Sequence, residues 1–300
     1  MVPSPTYRSS RDFEHTPLRI GVFDSGVGGL TVLDRLLDRL PPAEYFYLGD
    51  TLLMPYGLRP LDELKYRLLQ ILDWFQREHQ PDLVVVACNT ASATLPILPE
   101  LPYRGHQIDR LAVVDTIHPI CSHLGGLEQP FERVGLMATP STIHSRRYNE
   151  LMHQWSSKTR LRAIPCLGLA SAIEHGQTHT PGFMSLLEGY VKPLANWNAQ
   201  GIILGCTHYP HIRPQIERIL KTPGPLILDP AECVAAVVAA HFGLTEEPST
   251  GGASEPGRRP PRRVHCMVTG SADAFLTSLK RLAIQDLLLN AVENVHIRHQ

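Results

Sequence analysis

The chain has 300 residues, 43% of them apolar, with a formal net charge of −1 at pH 7, which is material for one large or two medium domains with ample core. So balanced a charge supplies no global field to recruit nucleic acid or an anionic membrane surface. No uncharged apolar run is long enough to span a bilayer.

Residues 1–17, MVPSPTYRSSRDFEHTP, carry proline, serine and charge but no apolar h-region, and read as a disordered leader rather than a secretory signal. "RIGVF" (Arg19–Phe23) reads as a buried strand, followed by the glycine-rich "DSGVGG" and by "LTVLDRLLDRL", apolar at helical spacing. "EYFYLGD" is a second strand ending at Asp50, "LDELKYRLLQILDWFQREH" an amphipathic helix, and "PDLVVVA" a third, wholly apolar strand. Strands alternating with helices predict right-handed β-α-β units and a parallel sheet.

From about residue 110 the pattern restarts. "RLAVVD" reads as a strand, "RVGLMATPSTIHSRRYNELMHQW" as strand, polar turn and helix, "LRAIPC" as a short strand, and "PGFMSLLEGYVKPLANWNAQ" as a helix feeding "GIILG". The halves overlie each other: "IGVFDSGVGGLTVLDRLL" parallels "VGLMATPSTIHSRRYNELM", and "VVVACNTASATLPIL" parallels "IILGCTHYPHIRPQI". Cys88 lies 64 positions beyond Asp24, and Cys206 lies 68 beyond the matching Ala138, an interval that points to internal duplication. The expected organisation is two similar α/β domains with a site in the cleft between them. Residues 18–110 plus 227–300 form the first, including a flexible loop at 245–263, and residues 111–226 form the second.

Ligands of open α/β sheets bind beyond the carboxyl ends of the strands. Asp24, Asp50, Cys88, Asn89, Thr90, Thr139, Thr142, Cys206, Thr207 and His208 all follow predicted strands, and their gathering is the main functional signal. Any one of them has a plainer reading: a cysteine is often a small buried apolar residue, and a lone histidine is usually satisfied locally. The matched placement of Cys88 and Cys206 sets them apart from Cys121, Cys166, Cys233 and Cys266, which read as structural. "DSGVGG" lacks both G-x-G-x-x-G and G-K-[ST]; a tight turn and carboxylate binding at a helix N-terminus suit it better than a nucleotide.

Other chemistries fit less well. No two cysteines are three apart, so there is no C-x-x-C pair, and Cys206-x-His208 lacks a second ligand pair; no metal site is expected. Cys-His hydrolysis would use one thiol and leave the other unexplained. None of the five lysines lies in a candidate site loop, which argues against a Schiff-base cofactor. The "RRPPRR" run reads as a solvated loop. With no secretion signal, reduced thiols in a cytoplasmic protein are the expectation.

The motifs "FDSGVGGL", "LGDTLLMPYG", "VACNTAS", "GLMATPSTIHSRRY" and "LGCTHYP" together resemble the glutamate racemases of the aspartate/glutamate racemase superfamily. The likeness runs from about residue 19 to 285. It implies two pseudo-symmetric flavodoxin-like domains with parallel sheets. It also implies cofactor-independent interconversion of L- and D-glutamate for peptidoglycan synthesis, by a cytoplasmic homodimer with no nucleic-acid or membrane partner. By the same resemblance Cys88 and Cys206 are the catalytic thiols, and Asp24 with Ser25, Tyr56 with Gly57, Asn89 with Thr90, and Thr207 with His208 bind substrate. Thr142 joins them as a strand-end hydroxyl. Asp24 stands near the first thiol, Glu174 and His208 near the second. Leu53 departs from a common Arg, Ser141 from a common Gly and His118 from a common Glu, and the 245–263 loop looks like an insertion. These departures bear on dimer contacts, affinity and regulation by an activator or inhibitor. Two further readings stand beside this one: a racemase for another small dicarboxylate, and a catalytically silent amino-acid sensor, against which the two whole cysteine motifs argue.

Overall fold

The first strands and helices of the chain are β1 (Leu18–Asp24), α1 (Leu30–Arg39), β2 (Ala43–Gly49), α2 (Leu61–Glu78), β3 (Leu83–Val86), α3 (Asn89–Ser92), β4 (His106–Ile108), β5 (Leu111–Asp115) and α4 (Ile117–Gly125). A second run follows with β6 (Arg133–Ala138), α5 (Pro140–His144), α6 (Arg147–Trp155), β7 (Arg160–Pro165), α7 (Leu169–Glu174), α8 (Pro181–Asn196), β8 (Gly201–Gly205), α9 (Arg213–Leu220) and β9 (Leu226–Leu228). The chain then returns through α10 (Pro230–His241), β10 (Arg263–Val268), α11 (Ala272–Arg281) and β11 (Val292–Asn294). The computed structural model describes residues 17–96, 105–108, 111–221, 223–244, 263–282 and 291–297. The expected leader up to residue 16, and the expected loop up to residue 262, lie outside the described residues.

One sheet has the order β11-β10-β2-β1-β3-β5-β4, the other β7-β6-β8-β9. The run β2-β1-β3-β5 and the run β7-β6-β8-β9 are the same doubly wound, flavodoxin-like order, so the duplication visible in the sequence is also one of topology. β1, β3 and β8 sit inside their sheets, and their apolar runs are covered on both faces, as central parallel strands require. α1 buries Leu30, Leu33, Leu36 and Leu37 along one stripe. Side-chain caps begin α5, α8, α10 and α11, where Thr139, Thr180, Asp229 and Ser271 each accept an N–H of the first turn.

Two expectations are corrected. Leu111–Asp115 does not open the second sheet; it pairs parallel with Leu83–Val86 in the first, so the boundary expected at residue 111 falls after Asp115. Likewise Leu226–Leu228 pairs with β8, so the second sheet extends past the expected boundary at 226. Apolar runs declare burial, not which neighbour they pair with. The first sheet also ends in an antiparallel strand, β4 against β5.

α10 packs on both α1 and α4. One apolar core takes in Leu33 of α1, Ile120 of α4, Leu136 of β6, Met152 of α6 and Val234 of α10. It joins the inner faces of the two sheets, so their strand ends are held facing one another. Among the described residues no helix is long and apolar enough to cross a membrane.

Candidate active site

Cys88 follows β3 and begins α3; Cys206 directly follows β8. Within each sheet that strand lies beside the strand at which the order reverses, β1 or β6, the switch point where open α/β sheets form their crevice. Both thiols line one cavity of about 180 Å³, together with Ser25, Tyr56, Gly57, Asn89, Thr90, Glu174, Thr207 and His208. That volume is well below the roughly 300 Å³ at which drug-sized pockets begin. It suits a small metabolite.

Two glycines let the walls approach so closely. A Cβ on Gly28 would lie 2.8 Å from His208 Nδ1, and one on Gly57 2.7 Å from Thr139 Cβ. The "DSGVGG" loop therefore needs its glycine for contact with the opposite wall.

At the second thiol, His208 Nδ1 is 3.9 Å from Cys206 Sγ, while Nε2 is 3.2 Å from Glu174 Oε2. Burial alone would push the His208 proton off, but the Cys206 sulfur and the Glu174 carboxylate outweigh it and hold the imidazole well above its ordinary pKa. Burial would raise Glu174, and its hydrogen bond to His208 more than reverses this, so its pKa is lowered. The pair rests as an ion pair beside the thiol.

At the first thiol, Cys88 donates to Ser25 Oγ across 3.8 Å. Burial, then the nearby Asp24 charge, pushes Cys88 up to about 12, opposed by the Ala91 N–H. Burial also raises Asp24. Its Oδ1 accepts the Gly26 N–H at 2.9 Å and its Oδ2 accepts the Thr207 hydroxyl at 3.2 Å, which ties the first cysteine's wall to the second's. Asp24 stands behind the lining rather than on it.

Thr142 is also set back. Its hydroxyl closes a triangle with Thr90 and Thr139 at 2.9–3.1 Å, and it is Thr139 and Thr90 that line the cavity. Asp50, another strand-end residue, proves to be an anchor. Its carboxylate receives Arg67 Nη2 at 2.7 Å, Tyr56 OH at 2.5 Å and Thr269 Oγ1 at 2.7 Å, holding the Tyr56–Leu58 turn. Ser141 braces that turn from the other side by donating to the carbonyls of Gly57 and Arg59 at 2.9 and 3.0 Å.

Sequence reasoning missed Arg67, Tyr148 and Cys166. Arg67 and Tyr148 lie within amphipathic helices, where nothing marks a helical residue as aimed at a site loop. Cys166, expected to be structural, lines the cavity, with its thiol donating to Ile164 O at 3.4 Å and pushed by burial to about 12. A strand-end position, just after β7, was the available signal.

No lysine or arginine is among the lining residues. An anionic ligand would be held by amide, hydroxyl and backbone N–H donors and by the His208 cation. A group with metal-ligand chemistry, His106 with Asp115 and His118, occurs elsewhere in the fold, and none of the three lines this cavity.

The family model for Asp/Glu/Hydantoin racemases matches residues 24–238. A glutamate racemase of Roseiflexus is 35% identical over 282 residues, covering 93% of this chain and 96% of its own. Among solved structures, a glutamate racemase of Thermus thermophilus in complex with β-chloro-D-alanine aligns with a TM-score of 0.73 at 31% identity, over 94% of this chain and 98% of that one. A Francisella tularensis glutamate racemase in complex with D-glutamate aligns with a TM-score of 0.75 at 26% identity, over the same shares. By sequence and by fold the chain belongs to the Asp/Glu/Hydantoin racemase family and groups within it with the glutamate racemases.

Proposed function

We propose that this protein interconverts L- and D-glutamate by two-base proton transfer between Cys88 and Cys206. The observation that carries the reading is the pair of thiols, each at the end of an equivalent strand, on one small cavity. Inverting Cα means breaking its C–H bond on one face and forming a new one on the other. A thiolate on one wall takes the proton, the electron pair is held as a carbanion delocalised into the α-carboxylate, and the thiol opposite gives its S–H proton to the other face. The roles exchange for the reverse direction.

A thiol has an ordinary pKa near 8.5, so each thiolate needs a partner for its proton or for its charge. The His208 cation, held by Glu174, serves Cys206 by stabilising its thiolate. Asp24, itself raised by burial, serves Cys88 as a proton partner, since a carboxylate charge there opposes the thiolate. Ser25, Asn89, Thr90 and Thr207 grip the substrate carboxylate, and Tyr56 and Gly57 close over it. Donors of this kind are typically worth about 3–4 kcal/mol each in the transition state. The thiols supply both proton transfers, so the reading calls for no cofactor. It further places the protein in the cytoplasm as a homodimer supplying D-glutamate for peptidoglycan.

The test is polarimetric, with purified protein, EDTA and no added cofactor. Optical rotation decaying to zero from both L- and D-glutamate, but not from L-aspartate, is the expected result. Decay with aspartate alone would move the activity to a relative of different specificity, and no decay with either would leave a binding protein.

A further inference from the structure

We propose that His106, Asp115 and His118 form a binding site for a zinc-class divalent cation, separate from the catalytic cleft. The three side chains come from β4, the end of β5 and the first turn of α4. They are 4%, 0% and 0% exposed. One ligand atom from each lies within 4.8 Å of the others. Asp115 Oδ1 accepts the N–H groups of Ile117 at 2.7 Å and His118 at 3.0 Å. This locks the carboxylate plane and turns Oδ2 toward both rings. His106 Nε2 and His118 Nδ1 each lie 2.9 Å from that oxygen. The rings stand perpendicular, with centroids 4.9 Å apart, so two nitrogens and one oxygen converge from different directions.

Two imidazoles and a carboxylate are a zinc donor set. Ligands at about 2.0–2.2 Å from a tetrahedral ion stand about 3.3–3.6 Å from one another, so admitting the ion asks the two 2.9 Å contacts to open by about half an ångström and the two ring nitrogens, which lie within 4.8 Å of each other, to close toward the same spacing. Burial resists a charge on Asp115, yet the two imidazoles hold it well below the ordinary carboxylate range; the oxygen facing the rings is anionic. With metal, the nitrogens bind through their lone pairs.

The ion would staple the edge strand β4 to the helix by which the chain leaves the first sheet. The next residue, Thr116, donates its N–H and its hydroxyl to Ser92 Oγ at 3.2 and 3.1 Å, and Ser92 ends the short helix that begins at Cys88. The staple thus steadies the floor beneath the first thiol, while the reaction itself runs through other residues.

The test uses the full chain, stripped with a chelator and dialysed against Zn²⁺. The expected result is one zinc per chain. The melting temperature should rise by on the order of 5–10 °C at a zinc concentration a hundredfold above Kd. Stoichiometric binding and the rise should both be lost in His106→Gln and in His118→Gln, each checked for a native far-UV spectrum without metal. Co²⁺ in place of zinc should give visible d–d bands without a thiolate charge-transfer band. Should neither variant fold, that wild-type spectrum decides. Substoichiometric zinc, zinc retained by both folded histidine variants, or a thiolate band would overturn the proposal, the last by moving the metal to Cys206 and His208.

Discussion

Tyr148 of α6 donates its hydroxyl proton to Oδ1 of Asn89 at 2.6 Å, and both residues are buried. The bond reaches from a helix of the second sheet's layer to the residue after Cys88. It fixes the Asn89 amide by its oxygen, and Asn89 lines the cavity. Tyr148→Phe removes the bond and keeps the ring's packing. The expected cost is about 1–2 kcal/mol in kcat/KM, roughly five- to thirtyfold, mostly as a raised KM, with little change in melting temperature. Unchanged steady-state kinetics would remove Tyr148 from any positioning role.

Each thiol is needed for one face of the substrate. Cys88→Ala and Cys206→Ala should each lose racemisation by at least about 10³-fold while retaining the native circular dichroism spectrum. In D₂O the corresponding Cys→Ser variants should exchange Cα hydrogen from one enantiomer only, opposite enantiomers for the two variants. Near-native turnover by either alanine variant would eliminate the two-base mechanism.

Asp24 separates two effects by sign. With Cys88 held up to about 12, its alkylation by iodoacetamide should rise about tenfold per pH unit between pH 7 and 10, because the thiolate is the reacting form. Asp24→Asn removes a nearby negative charge, so alkylation at fixed pH should become faster. Racemisation should nevertheless become slower, by about 10²-fold or more, because the proton partner is gone. Because burial raises the folded-state pKa of Asp24 above its ordinary 3.8, the native state loses stability as pH rises from 3.8 up to the raised value. The Asn variant should match wild type in acid and exceed its melting temperature at neutral pH.

The Glu174–His208 pair predicts a pH window. His208 is raised above 6.5, so its contribution to stability is complete below 6.5 and fades as pH rises through its folded value. Glu174 is lowered below 4.5, so its contribution is complete above 4.5 and fades as pH falls through its folded value. Melting temperatures of wild type and Glu174→Gln should therefore differ most between pH 4.5 and 6.5 and converge toward both extremes. A difference independent of pH would mean that Glu174 acts through packing alone.

Arg67 is the buried cation of the Asp50 cluster, its side chain 2% exposed. Arg67→Met leaves the Asp50 carboxylate uncompensated and should cost about 3–5 kcal/mol of stability by thermal or urea unfolding. Asp50 also holds Tyr56, so KM for glutamate should rise with it. A variant of native stability would show the charge to be solvated or satisfied by Thr269 and Tyr56.

Read alone, the amino-acid sequence was enough to identify the repeated strand-Cys-polar unit, the parallel α/β class and the matched pair Cys88 and Cys206. These are local patterns: a period of two or 3.6, or a polar residue where an apolar run stops. The pairing of Leu111–Asp115 with β3 required the folded chain, because an apolar strand carries no label for its neighbour. So did the retreat of Asp24 and Thr142 behind the cavity wall, since a strand-end position does not specify which way a side chain turns. Tyr148 reaches Asn89 across 59 positions, Thr207 reaches Asp24 across 183, and Thr269 reaches Asp50 across 219. No window along the chain contains such pairs. They come together because one core joins the inner faces of both sheets, and only that packing brings the two strand-end thiols to a single cavity.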